Sequence, residues 1–529
     1  MEEKVCELWQ MYRQGASYMR ALHLPETVRQ NVRFYEGDQW APPTQVTKNM
    51  PRPVVNMVKF VCRNKRAKLV LTPVKLLYKC ESNPALGERF TRFADFMLRE
   101  MHMKEMDSRA IKDGLLKGSY CYHFYWDADY LGLSGSRGAV RCELIDPLHV
   151  YFANPREPDE QKQAWIMIAS RVPLSSVLEM ADEDVDRELI LPDEDAEGVL
   201  EPEGAKLCTL LTRYFRVGDE VYCERAVKGT MVTKAYSLAP VEYVGKGASA
   251  VELKHHKATL YPVVFGSYEE REDSIYGISE AESIIPNQRI MNHILGMEAL
   301  AIQNIAWGKY VVRKDALKGQ QISNEPGEVL VDYSSEGNGI RKLEQHGMSG
   351  LPISFVNNLA DLTRSVTGAS EVMTGDNFLN LSGAAIAQLQ AQANQPIEEQ
   401  RERFWRVKER QGQVLAQLCK LYYATKEWYD ETAGAEPARE VFVADDYLDV
   451  DMGVSVQACT GASSSTASDV QLLENLFARG AIDAVTFVKA YPEEALFDKE
   501  RILRLVGEYT DRLRVPVADS VDKVTLPAV

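Results

Sequence analysis

The 529-residue sequence predicts an α+β chain. Helical periodicity dominates residues 1–117 and the stretch beyond residue 275, whereas residues 119–268 break into short β-prone runs separated by turn residues. Apolar residues make up 45% of the chain, enough for several cores or one elongated body. The third observation is residues 351–429, where a short amphipathic helix, an irregular loop and a very long helix follow one another. A helix of that length must lie along something large.

Residues 1–33 read as one helix, with Val5, Leu8, Trp9, Tyr12 and Tyr18 on a loose stripe, and Pro42 and Pro43 stop the segment that follows. A second helix is expected over 56–69. A third is expected over 86–117, where Phe90, Phe93, Met97 and Met101 share one side; its methionines read as adaptable core packing rather than ligands. The aromatic run from Tyr120 to Trp126 should pair, across a loose turn at 132–138, with the run from Ala139 to Ile145. Strands over 164–172, 207–216, 220–226 and 231–237, with a short helix over 175–180, extend this β body. Residues 182–204 are acidic and turn-rich and read as an exposed loop.

Residues 275–307 return to helix. From Asn287 to Trp307 only Arg289 and Glu298 are charged, while Ile290, Ile294, Leu295 and Ile302 spread around more than one face. Such a helix is buried from several directions, either inside one large domain or against further copies of the chain. Strands are expected over 309–314 and 327–333. The next helix, 351–367, places Phe355, Val356, Leu359, Leu362 and Val366 on one stripe and should stop at Gly368. Residues 369–381 mix turn formers with Val372, Met373, Phe378 and Leu379, apolar residues that a solvated linker would not need. From Ser382 helix formers run, with one interruption at Pro396, to about Asp430, roughly 65–70 Å at 1.5 Å per residue. That helix carries Ile397, Phe404, Val407, Val414, Leu418, Leu421 and Trp428 at spacings near three and four. Strands at 440–443 and 454–457 flank an acidic turn, and short helices are expected over 468–477, 483–490 and 498–514.

Net charge is −16, and the local basic patch of Arg63, Lys65, Arg66 and Lys68 is too small for a nucleic-acid footprint, so any DNA contact is expected to be weak and non-specific. Nine cysteines without a CxxC pair suit free thiols in a reducing compartment. The first residues lack an apolar signal core, and no run approaches the ~20 apolar residues that span a bilayer, so no membrane partner is expected. Catalytic patterns fail one by one. Gly245, Lys246 and Gly247 lack the upstream glycine and the hydroxyl residue of a phosphate loop; GxSxG and HExxH do not occur, and the eight histidines are not at metal spacing. Asp445, Asp446, Asp449 and Asp451 could in principle hold a divalent cation for nuclease chemistry, although aspartates between two strands more simply make a solvated turn. No catalytic residue, cofactor or metal is expected.

Several runs, taken in order, carry a family resemblance. FYEGDQW from Phe34 to Trp40 is followed by Arg52-Pro53 and Asn56, then Arg63, Asn64, Lys65 and the VLTP of Val70 to Pro73. Ile145, Asp146 and Pro147 precede Val150, Tyr151 and Phe152; Tyr261-Pro262 leads into YGIS from Tyr276 to Ser279 and PNQRIMN from Pro286 to Asn292. With this order the chain resembles the portal proteins of tailed bacteriophages from Phe34 to its C-terminal helices. The resemblance implies an elongated subunit of a ring, usually of twelve copies, through which a motor drives DNA into the capsid. It implies N-terminal helices and wing body over 1–275, a first stem helix over 276–306, a clip over 307–350 and a second stem helix over 351–367. A tunnel loop over 368–382, a long wing helix and wing strands over 383–458, and crown helices with a flexible tail over 459–529 complete the set.

On that reading Ile290, Ile294, Leu295 and Ile302 pack the stem, and its Asn and Gln residues face the lumen. Val372, Met373, Asp376, Asn377, Phe378 and Leu379 meet passing duplex DNA without reading its sequence. Lys309, Lys314 and Lys318 lie on the docking surface of the clip. The implied partners are the major capsid and scaffolding proteins, the terminase large subunit and a neck or tail adaptor. The implied location is the capsid vertex of the virion, after assembly in the host cytoplasm. Because the sequence stops soon after its last helices, a helical crown is expected rather than a long barrel. A metal-dependent nuclease on the 445–451 aspartates and a non-viral oligomeric scaffold built on the long helix are the alternatives.

Overall fold

Two of the expected helices are broken by local backbone chemistry. In the computed structural model, helix α1 (Glu2–Ala21) and helix α2 (Leu24–Glu36) replace the single helix expected over 1–33, because His23 takes a left-handed conformation (φ 55°) just ahead of Pro25. Proline fits the first turn of a new helix but not the interior of a continuing one. Helix α3 (Met57–Val70) and strand β1 (Val74–Lys79) follow. The helix expected over 86–117 is likewise two, α4 (Pro84–Glu100) and α5 (Met103–Lys117), which meet at a left-handed His102 (φ 54°). Gly118, with φ 82°, closes α5 as glycine commonly closes helices. The structure describes residues 2–45, 47–48, 50–70, 74–132, 137–193, 206–239, 242–244, 251–253, 257–306, 310–313, 316, 331–333, 339–342, 351–368, 383–430, 438–448, 450–458, 472–491 and 502.

Strands β2 (Ser119–Leu131) and β3 (Arg137–Ile145) form the expected hairpin of two β-prone runs, with Cys121 opposite Ile145 and Trp126 opposite Val140. Strands β4 (Val150–Phe152) and β5 (Trp165–Pro173), helix α6 (Leu174–Met180), and strands β6 (Leu207–Val217), β7 (Glu220–Ala226) and β8 (Met231–Ser237) come next. The five strands form an antiparallel sheet in sequence order. Strands β9 (Glu242–Val244) and β10 (Val251–Leu253) pair with each other, β11 (Val263–Ser267) joins β2 on the edge away from β3, and β12 (Glu269–Arg271) pairs with β13 (Ser274–Ile278). Helix α7 (Glu280–Ala306) leads to β14 (Tyr310–Val312), which pairs with β15 (Ile340–Lys342). Helix α8 (Leu351–Val366) and the 40-residue helix α9 (Gly383–Tyr422) follow. Strands β16 (Thr425–Asp430) and β17 (Ala438–Val443) pair, and β18 (Gly453–Ala458) returns to β1. Residues 472–478 and Ala484–Ala490 are short helices.

The long helix stops eight residues before the expected Asp430, at Tyr422, and is ~60 Å long at 1.5 Å per residue. Thr425, Trp428 and Tyr429 are β-formers with a partner strand available: Trp428 lies opposite Glu440 and is buried, its ring 5.8 Å from that of Phe93. Phe93 in turn stacks on Phe442 at 4.3 Å. Ile397, Phe404, Val414 and Leu418 are buried as their spacing requires, and α9 runs through Pro396.

One core joins α2 to α5, β2 and β3, the start of α7, and α9; Met97, Met101 and Met103 are within it as packing residues. A second core seats α1 on the five-stranded sheet together with β11 and β13. There a Cβ on Gly15 would stand 2.6 Å from Cδ1 of Tyr151, so glycine lets the helix approach the ring. Glu224 of β7, wholly buried, lies 2.6 Å from both Lys4 of α1 and Arg213 of β6. Side chains of α9 tie it to this body. Lys408 meets Asp107 at 2.5 Å, and Oε1 of Gln417 accepts from the backbone N–H of Thr259 (2.8 Å) and Leu260 (2.9 Å).

Arg410 of α9 reaches Asp159 and Glu160 at 3.4 Å each. Burial pushes the Glu160 carboxyl up to about 7, against the pull of Arg410. In an unfolded chain the same group titrates near 4.3. Folding therefore takes up a proton between roughly pH 4.5 and 7, and the stability due to this group falls as pH rises through that window. Relative to Glu160→Gln, the parent chain should lose about 2–3 kcal/mol from pH 5 to 8, read by denaturant unfolding. Identical pH slopes in the two proteins would remove Glu160 as the source.

Candidate subunit interface

Helix α7 is rooted in the body at its first half. Ala281, Ile284, Ile285 and Met291 are buried, and Glu280 lies 2.7 Å from Lys65 of α3 in a buried ion pair. Two of the amides expected to face a lumen, Gln288 and Asn292, turn inward instead, whereas Gln303 is exposed. Gln288 Nε2 donates to the Val55 carbonyl (2.7 Å) and to Asn292 Oδ1 (2.9 Å), while its Oε1 accepts from Met57 N–H (2.7 Å). Asn292 Nδ2 donates to Gln39 Oε1 (2.7 Å), and Gln39 Nε2 to the Phe34 carbonyl (2.8 Å). Gln39, Gln288 and Asn292 are all buried, so the FYEGDQW run and residues 55–57 are strapped to α7 by a chain of hydrogen bonds between amide groups. Isolated buried amides are costly, and here each finds partners. Neutral amides in an otherwise apolar helix were the sequence signal for this, but the partners lie far away in the chain.

The remaining surface of α7 faces outward. Ile290, Met297, Ile302 and Ile305 are exposed, Ile302 by 59%, and Ile294 and Leu295 are half-buried. Helix α8 packs beside it, with Asn287 Nδ2 donating to Oγ1 of buried Thr363 (3.1 Å). The single stripe expected on α8 divides. Val356 and Leu359 pack on the core, whereas Phe355 and, on the same outward side, Leu362 and Val366 are exposed, Val366 by 81%. A 3.6-residue helix cannot bring all five onto one narrow face when Thr363 and Ala360 occupy the contact. Among the described residues, two adjoining helices thus carry large apolar side chains that stay exposed. A surface of that kind marks an interaction site.

Of the residues beyond α7, Tyr310–Val312 is a strand as expected, but its partner is Ile340–Lys342 and residues 331–333 form none. Asp332 instead caps the Gly339 N–H (2.7 Å), and the Tyr333 N–H donates to the Ala316 carbonyl (3.0 Å). Lys309, Lys314 and Lys318 lie outside the described residues. Gly368, with φ 70°, ends α8 where expected; Val372, Met373, Asp376, Asn377, Phe378 and Leu379 lie outside the described residues. Asp445 and Asp446 are exposed in the short helical turn Ala444–Tyr447, Asp451 is exposed near Lys420, and Asp449 lies outside the described residues. Among the described residues no three His, Cys, Asp or Glu side chains stand together as a metal site. The described cysteines are free thiols, and no described helix is long and apolar enough to cross a membrane.

The described residues thus form an α+β body with two adjoining helices that expose large apolar side chains. The chain belongs to the phage P22-like portal protein family, whose model matches residues 12–444, from the middle of α1 to the turn after β17. No curated protein matches the sequence.

Proposed function

We propose that this portal-family chain is the repeating subunit of a closed ring at the capsid vertex, the channel through which DNA is packaged and ejected. The observation that carries the proposal is the bare apolar face shared by α7 and α8, where Ile302, Leu362 and Val366 are all more than half exposed. A face of this sort that meets a different patch of the next copy, head to tail, closes into a ring when the rotation from copy to copy completes a full turn. Residues 276–306 and 351–367 serve as the two stem helices, packed through Ile290, Ile294, Leu295 and Ile302. Residues 307–350 serve as the clip, on which the terminase motor and a neck adaptor dock through a surface including Lys309, Lys314 and Lys318. Residues 368–382 form the tunnel loop, and Asp376, Asn377 and Phe378 touch passing duplex without gripping it. The ring has about twelve subunits, meets capsid and scaffolding proteins at its wing, and leaves ATP hydrolysis to the motor. Electron microscopy of the purified full chain should show rings with one central channel. A chain that is monomeric by native mass spectrometry at every salt concentration would overturn the proposal.

A further inference from the structure

The basic residues adjacent in sequence do not form one patch. Lys65 turns into the core onto Glu280, and Lys68 is partly buried near Arg401, burial first and that neighbour second lowering its pKa. A different set converges instead. Lys59, Arg63 and Arg66 follow at spacings of four and three, which places them on one stripe of α3. Helix α5 lies alongside: the Arg66 guanidinium donates to Ser108 Oγ (2.8 and 3.1 Å), and Lys59 and Lys112 both stand over the Tyr35 ring, at 5.8 and 5.3 Å. Arg109, one turn before Lys112, extends the α5 side and is exposed.

Among the described residues none of these five cations forms an ion pair with a carboxylate, although Lys112 also acts electrostatically on its neighbour Asp113. Two carboxylates of α5 point elsewhere, Asp107 to Lys408 (2.5 Å) and Asp113 to Lys117 (3.5 Å). Glu105, a turn before Arg109, is exposed, and Glu105, Asp113 and Glu143 border the same cleft as Arg109 and Lys112. None of the exposed large hydrophobic residues falls in α3 or α5. A protein partner would bury an apolar centre, which this face does not offer. Its occupant is held by charge.

We propose that the face formed by α3 and α5 is a contact surface for the phosphate backbone of duplex DNA, engaged without sequence reading. Cations three and four residues apart on a helix stand ~5–6 Å from one another, so a stripe of them can follow a polymer that presents one charge per ~1.7 Å of axis. Guanidinium groups such as Arg63 and Arg109 match phosphate oxygens in pairs. With −16 net charge on the chain, the contact is local and weakens steeply with salt. This surface is separate from the α7 and α8 faces and needs no channel.

Anisotropy of a labelled duplex of about 30 base pairs, titrated with the full chain between about 50 and 200 mM salt, tests it. Each cation in contact contributes about −0.9 to the slope of log K against log salt, so R63Q/R109Q should be shallower than the parent by about two and bind at least about tenfold more weakly at low salt. R63E/R109E should bind more weakly still, and K228E, at an exposed turn of the five-stranded sheet, should match the parent. All are compared in one oligomeric state and with unchanged melting. An unchanged slope in R63Q/R109Q overturns the inference, as does an equal loss in K228E, which would make the effect one of total charge. Rings that fall apart in R63E/R109E while duplex affinity holds would assign the face to a contact between copies and overturn it too. A chain that stays monomeric yet shows the slope change supports this surface while removing the ring.

Discussion

Leu362→Asp and Ile302→Asp should each leave the chain folded and abolish ring assembly. In the single subunit Leu362 is 61% and Ile302 59% exposed, so a carboxylate there remains in water and costs folding little. Against a neighbouring copy the same carboxylate loses its water. An uncompensated buried charge costs about 3–5 kcal/mol, and in a closed ring the cost recurs at every interface because all subunits carry it. The expected result is a melting temperature within a degree or two of the parent, with native mass spectrometry shifted from ring to monomer. Ile294→Asp is the contrasting case. Ile294 is half-buried within its own chain, so that variant should lose melting temperature as well as rings. Normal rings in both Leu362→Asp and Ile302→Asp would mean that these helices face something other than a second copy.

The parts of the fold that local pattern can carry were legible. The β-prone runs from Tyr120 to Trp126 and from Ala139 to Ile145 locate the β2–β3 hairpin, because two such runs either side of a turn pair with each other, while the register itself was not legible in them. The stripe through Ile397, Phe404, Val414 and Leu418 locates the buried side of α9 for the same kind of reason. What pattern missed depends on distant partners. Trp428 continues a helical spacing in sequence but is drawn into β16 by a partner strand and by the Phe93 ring. The left-handed His23 and His102 interrupt helical runs that few residues mark, Pro25 being the clearest of them. At the candidate interface the excess of apolar residues on α7 was visible. Which of them the body would cover was not, since that depends on the strap through Gln39, Gln288 and Asn292. The basic face shows the converse: of four cations close in sequence, Lys65 and Lys68 turn away, while Arg63 and Arg66 join Lys59, Arg109 and Lys112 from two helices.

Lys65→Met should destabilise the subunit by about 3–5 kcal/mol, the range found when one member of a buried ion pair is removed. Nζ of Lys65 lies 2.7 Å from Oε2 of Glu280, and the two side chains are only 6% and 8% exposed. The Tyr268 hydroxyl donates to the same carboxylate oxygen at 3.0 Å. Glu280 opens α7, where the positive end of the helix dipole also favours an anion, yet neither the hydroxyl nor the dipole replaces a full charge once lysine is gone. Glu280→Gln alone should cost a comparable amount by orphaning Lys65. The double variant Lys65→Met, Glu280→Gln keeps the acceptor for Tyr268 and leaves no charge buried, so it should recover most of the loss, with a coupling energy of about 2 kcal/mol or more in a double-mutant cycle by urea unfolding. Strict additivity of the two single changes, or a Lys65→Met cost below about 1 kcal/mol, would show that water reaches the pair. Because the pair holds the root of α7 to α3, the double variant should also assemble as the parent does, which separates the stability of the subunit from the packing of its exposed helices.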